Sequence, residues 1–227
     1  MKCPQAFDPN SDEPMTKPTV PAPILCRALL FDLDGTLIDS LPAVDRAWTT
    51  FSLRHGLLPQ EVLPEIHGRR SIDSIRRLVP GVDAEQEDAF LRHLESTDTQ
   101  GVTALPGAVG LLASLPCERW AIVTSGTRDV AMARLKAAGI PDAGAYVFGE
   151  DVANGKPAPD PFLLGAQRLG FPACDCVGFE DTLAGVKSIE AAGMRAVAIN
   201  VGERDSISGV SAVRITFETD SFLLRFD

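Results

Sequence analysis

A hydrophobic run, "LLF" at 29–31, leads directly into Asp32 and Asp34, with Gly35 and Thr36 behind them. Three more polar clusters follow apolar runs: Thr124-Ser125-Gly126 after "WAIV", Lys156 in "GKPAPDPF", and Glu180-Asp181 after "CVGF". Singly, each has a plain structural use as a solvated turn, a helix cap or a surface lysine. Their recurrence at the ends of successive apolar runs points instead to chemistry. Two carboxylates ~4 Å apart at an effective dielectric near 20 repel by about 4 kcal/mol. That is large against a folding stability of ~5–15 kcal/mol. Convergence of Asp32, Asp34 and Asp181 therefore calls for a cation or a protonated acid. All-oxygen ligands without a nearby histidine suit Mg²⁺ better than zinc or iron. A carboxylate beside such an ion can attack phosphorus and form an aspartyl-phosphate. The Thr124 hydroxyl, the backbone N–H groups of Ser125 and Gly126, and the Lys156 ammonium can hold the equatorial oxygens.

The elements that must position these groups follow from periodicity. Strands are expected at Ala28–Leu33, Trp120–Thr124, Tyr146–Phe148, Cys176–Phe179, Ala196–Asn200 and Val213–Phe217. Helices are expected near Ala108–Leu115, Val130–Ala138, Pro161–Leu169 and Leu183–Ala192, with Gly139, Gly170 and Gly193 where C-terminal caps belong. Continuous apolar strands separated by helices imply an α/β fold, a doubly wound parallel sheet covered on both faces. Ligands of such sheets bind at the carboxyl ends of the strands, where the polar clusters fall. One interval breaks the alternation. Between Leu41 and Leu105 only helical spacing is convincing: Val44, Ala47, Trp48 and Phe51, then Ile72, Ile75 and Val79, then Phe90 and Leu94, all expected to pack. The expected organisation is a Pro-rich flexible tail at 1–23, an α/β core at 24–40 and 106–227, and a helical domain at 41–105 placed to act as a lid.

Composition excludes several classes. The 227 residues carry a formal net charge of −10 and no Lys/Arg-rich run, so no nucleic-acid partner is expected. No stretch approaches the ~20 apolar residues of a membrane span, and the N-terminus has no apolar signal core. The five cysteines form no CxxC and read as buried free thiols of a cytoplasmic protein, including the Cys174-Asp175-Cys176 triplet. "GEDVANGKP" is one residue too long for a P-loop and has Pro157 where the Ser/Thr belongs. No G-x-S-x-G occurs, and His55, His67 and His93 all fall in the helical interval, which argues against a hydrolase triad.

In this order, "FDLDGTLIDS", "IVTSG", "GKPAPDPF" and "GFEDTLAGV" resemble the four motifs of the haloacid dehalogenase superfamily, over about residues 26–220. The resemblance implies a Rossmann-like core with a small α-helical cap inserted after the first motif. It implies Asp32 as nucleophile and Asp34 as general acid/base, with the Asp34 carbonyl on Mg²⁺ and Asp181 with Glu180 on or around the ion. Thr124 and Lys156 are implied phosphate binders. A second carboxylate that can protonate the departing alkoxide favours phosphate over halide chemistry. The lysine-free interval 41–105 argues against Schiff-base phosphonate cleavage. The remaining segments look most like phosphatases of small sugar and polyol monophosphates, in which Arg69 of "HGRR" is expected to reach the substrate and His67 to be structural. "EDTL" departs from the small residue and proline that many relatives carry after "ED". The expected protein is a cytoplasmic Mg²⁺-dependent phosphatase, a monomer or weak dimer. A sugar-phosphate mutase on the same scaffold is the first alternative and a phospho-accepting signalling domain the second. The latter has no reason to carry so long a helical insertion.

Overall fold

The computed structural model describes residues 24–199, 206–207, 213–218 and 221–226, with side chains in the last three segments described only at Phe222 and Leu224. The expected tail at 1–23 and Asn200 lie outside them. In chain order the elements are β1 (Ile24–Cys26), β2 (Ala28–Phe31), β3 (Ile38–Asp39), α1 (Leu41–Arg54), α2 (Pro59–Val62), α3 (Ser71–Leu78), α4 (Ala84–Thr97), β4 (Thr103–Ala104) and α5 (Ala108–Ser114). They continue with β5 (Trp120–Val123), α6 (Arg128–Ala138), β6 (Ala145–Val147), α7 (Asp160–Leu169), β7 (Cys176–Glu180), α8 (Leu183–Ala191), β8 (Arg195–Ile199), β9 (Ser206–Ile207), β10 (Val213–Glu218) and β11 (Ser221–Phe226).

The central sheet has six strands in the order β6-β5-β2-β7-β8-β9. Every pairing in it is parallel. The chain begins this sheet in the middle at β2, winds outward through β5 and β6, and returns to the other side for β7, β8 and β9. That reversal makes the carboxyl end of β2 the topological switch point, where strands part and a crevice opens. The middle strands are buried on both faces, as their unbroken apolar runs require. Leu29 and Phe31 face one layer with α5 and α6 residues such as Leu112 and Leu135. Ala28 and Leu30 face the other, against Phe162 and Ala166 of α7 and Ile189 of α8.

Between β3 and β4, helices α1 to α4 form a helical insertion around a core of its own, Val44, Ala47, Trp48, Phe51, Val62, Ile66, Ile75 and Leu91, and the short strand β4 was not expected in this interval. Both connections to the sheet travel together: β3 pairs antiparallel with β4, Ile38 opposite Ala104 and Asp39 opposite Thr103.

Three expectations are corrected. Val213–Phe217 is a strand, but it joins no parallel sheet; β10 pairs with β11 and β11 with β1, all antiparallel, in a separate three-stranded sheet. Periodicity identifies a strand but not its partner, and the two residues between β10 and β11 are too few for a parallel crossover. On α4 the fully buried apolar residue is Leu91; Leu94 packs against the same core as expected, whereas Phe90 does not and lies under the Arg54 guanidinium instead, 4.5 Å from its ring centroid. The packed face runs Glu87–Leu91–Glu95, whose acids have partners: Glu87 pairs with Arg54 and shares a hydrogen bond with the His55 ring, and Glu95 pairs with Arg134. Finally, Cys26 and Cys176 are buried free thiols, whereas Cys117 and Cys174 are exposed.

Candidate active site

β2 ends at Phe31, two residues before the expected Leu33, yet Asp32 is still held in register: its N–H donates to the carbonyl of Phe179 at 2.9 Å. Asp32 is 6% exposed. Lys156, from the loop after β6, donates to Asp32 Oδ1 at 2.5 Å and to Glu180 Oε1 at 2.7 Å. Its ammonium also sits over the Phe162 ring, 5.3 Å from the centroid. Burial works to discharge the amine, but Asp32 and Glu180 outweigh it and hold Lys156 protonated above its ordinary range. The second oxygen of Glu180 accepts from Thr182 N at 2.7 Å and Thr182 Oγ1 at 2.9 Å. Thr182 Oγ1 in turn accepts from Gly185 N, capping α8. The departure at Thr182 thus has a use: its hydroxyl joins Glu180 to the start of α8.

Carboxylate oxygens of Asp32, Glu180 and Asp181 lie within 4.8 Å of one another. Burial, then repulsion from Glu180, pushes Asp181 up to about 7 against the pull of Lys156. Burial also raises Asp32, with Lys156 opposing and Glu180 and Asp181 reinforcing the shift. Two acids held above their ordinary range beside a third, all offering oxygen, form a donor set that fits a hard divalent cation. Gly35 allows the approach. Its φ is +88°, and a Cβ there would lie 1.9 Å from Asp181 Oδ2. Both the left-handed backbone and the missing side chain are required at this position.

A cavity of about 420 Å³ opens over these groups. Asp32, Asp34, Thr124, Ser125, Gly126, Asp181 and Arg69 all line it; Lys156 and Glu180 lie behind Asp32, off its wall. Thr124 Oγ1 accepts from Gly126 N at 3.0 Å, closing the tight turn after β5. The helical insertion supplies the opposite wall, including Val44, Trp48, Ile66 and Arg69. Arg69 and His67 are exposed residues of a loop whose Gly68 meets the sheet side: Ser125 Oγ donates to the Gly68 carbonyl at 3.2 Å. The neighbouring Arg70 donates to the carbonyls of Val152 and Ala153 at 3.1 and 3.2 Å.

Sequence reasoning missed one group. Asp34 Oδ1 accepts from Ser40 Oγ at 2.6 Å and from an Arg134 terminal nitrogen at 2.9 Å. The other terminal nitrogen of Arg134 donates to Glu95 Oε1 at 3.0 Å. Arg134 is 4% exposed, and the two carboxylates keep it charged against the effect of burial. Its only sequence signal was a position four residues after the buried Val130 on α6, where an arginine reads as a solvated end.

A parallel sheet whose first strand carries an acid at the switch point, with a helical insertion directly after it, defines a class of α/β hydrolases. Residues 26–193 match the haloacid dehalogenase-like hydrolases, and the chain belongs to that family. It is 51% identical to hexitol phosphatase A of Escherichia coli over 77% of this chain and 83% of that protein. It is 35% identical to glycerol-1-phosphate phosphohydrolase 2 of Saccharomyces cerevisiae over 80% of this chain and 77% of the relative. Among solved structures, a hydrolase from Pseudomonas syringae superposes with a TM-score of 0.67 at 29% identity, covering 76% of this chain and 83% of its own.

Proposed function

We propose that this enzyme is a Mg²⁺-dependent phosphatase of small sugar or polyol monophosphates, working through an aspartyl-phosphate on Asp32. The observation that carries the reading is the convergence of Asp32, Asp181 and Lys156 at the switch point, beneath a cavity also lined by Asp34 and Thr124. Asp32 and Asp181 would hold the ion together with the Asp34 carbonyl, and Glu180 would lie around it. When bound, the ion supplies charge compensation for the phosphoryl oxygens.

Thr124 and the N–H groups of Ser125 and Gly126 bind the phosphoryl oxygens from the cavity wall, and Lys156, bonded to Asp32 from behind, compensates their charge next to the nucleophile. An Asp32 oxygen attacks phosphorus as the bond to the alcohol oxygen breaks, and Asp34 gives that oxygen its proton. Asp34 then takes a proton from water, whose oxygen attacks phosphorus and releases inorganic phosphate. Asp32 is regenerated as the carboxylate and Asp34 as the acid. The insertion acts as a cap: its wall over the cavity excludes bulk water, and Arg69 reaches the substrate.

The rival on this scaffold, a sugar-phosphate mutase, would return the phosphoryl group to a second hydroxyl. A phosphate-release screen over hexitol, hexose and glycerol phosphates, with and without Mg²⁺, separates the two. Mg²⁺-dependent release from polyol or sugar monophosphates is the expected result. Isomerisation of glucose 1-phosphate without free phosphate would replace this reading with the mutase.

A further inference from the structure

We propose that Arg134 is a positioning residue that sets the acid/base Asp34 for catalysis only while Glu95 of the cap is seated against it. The inference rests on the phosphatase reading above and concerns a group that reading does not use.

The geometry is a chain across the boundary between core and cap. Asp34 follows β2, Arg134 comes from α6 and Glu95 from α4 in the insertion. The guanidinium spans the two carboxylates, one terminal nitrogen 2.9 Å from Asp34 Oδ1 and the other 3.0 Å from Glu95 Oε1. A planar fork bonded at both prongs cannot turn toward one carboxylate without straining its bond to the other. Arg134 is 4% exposed and Glu95 8%, so water does not compete freely for either group.

The second partner of Asp34 points the same way. Ser40 is the N-cap residue of α1, the first cap helix, and its hydroxyl is spent on Asp34 Oδ1 at 2.6 Å instead of on a helix N–H. Both side chains that hold Asp34 are therefore tied to the cap, Ser40 by sequence and Arg134 by contact. Both use Oδ1, and among the described residues no hydrogen bond reaches Oδ2. Oδ2 is thus the oxygen left to exchange a proton with the alcohol and with water. A cap that lifts removes Glu95, frees the fork and unsets Asp34, so proton transfer waits for closure over substrate.

Leaving-group dependence tests this, because an alkyl alcohol needs a proton to depart and a nitrophenolate does not. kcat/KM is measured for sorbitol 6-phosphate and for p-nitrophenyl phosphate in the wild type, Arg134→Gln, Arg134→Lys, Glu95→Gln and the Glu95→Gln/Arg134→Gln pair. The paired variant leaves no unpartnered buried charge, and circular dichroism checks each fold. The expected result is a loss about 100-fold greater on the hexitol phosphate than on the aryl phosphate for Arg134→Gln. Arg134→Lys does not restore the ratio, Glu95→Gln shifts it the same way, and the pair matches Arg134→Gln instead of multiplying the two losses. Equal losses on both substrates, or losses that multiply in the pair, would overturn the proposal and leave the phosphatase reading intact. A wild type active on the aryl phosphate but idle on every alkyl phosphate would sink both.

Discussion

Asp32 and Asp181 can sit close together because Gly35 has no side chain. Replacing Gly35 with alanine places a Cβ 1.9 Å from Asp181 Oδ2 and imposes a φ of +88° on a residue that resists it. Backbone strain of this kind costs on the order of 1–3 kcal/mol. Gly35→Ala is expected to lower the melting temperature measurably and to raise the Mg²⁺ concentration needed for half-maximal turnover by about tenfold or more. An unchanged metal titration would remove Asp181 from the metal site. At this scale the sequence was legible where residue type restricts chemistry. Adjacent acids at strand ends have few uses, so Asp32, Asp34 and Asp181 stood out. Arg134 and Glu95 did not, because an arginine and a glutamate on separate helices are ordinary surface residues until tertiary packing buries them together.

Helix α4 shows the same limit for a whole element. Its hydrophobic spacing located the helix and Leu94 on its packed side but not the rest of that face, since Glu87 and Glu95 are buried through partners on α1, in the following residue His55 and on α6. Strand β10 was likewise found without its partner, because pairing is a long-range property that alternation does not carry. The strands of the central sheet were readable for the opposite reason: burial on both faces leaves unbroken apolar runs. The loop of the helical insertion that meets the sheet side gives a further prediction. A Cβ on Gly68, whose φ is +73°, would lie 2.6 Å from Thr182 Oγ1. Gly68→Ala is therefore expected to push the loop off the site, lowering kcat/KM by about tenfold, while the strain of about 1 kcal/mol at the positive φ lowers the melting temperature by only a few degrees. A large loss of stability with unchanged kinetics would make the loop structural.

For the whole molecule, the acidic cluster links stability to pH and metal. Asp181 is raised from 3.8 to about 7 in the folded protein. Stability from a raised acid is fully present below its unfolded value and is lost as pH rises through the folded one. The metal-free protein should therefore lose this contribution between about pH 4 and pH 7. A divalent cation binds the ionised folded site and restores stability by mass action. Thermal melts should show Mg²⁺ raising the midpoint by about 4 °C at pH 8 and by less than half of that at pH 5. Asp181→Asn should flatten both dependences. An equal effect of Mg²⁺ at the two pH values would contradict this linkage.

The central claim is that Asp32 itself takes up the phosphoryl group, and the most direct measurement is turnover by Asp32→Asn. The amide keeps the shape and a hydrogen-bond acceptor for Lys156 but is no nucleophile. With saturating Mg²⁺ and a hexitol phosphate, phosphate release should fall by about 1,000-fold or more while the circular dichroism spectrum is unchanged. A folded Asp32→Asn protein that releases phosphate within about tenfold of the wild-type rate would contradict the account.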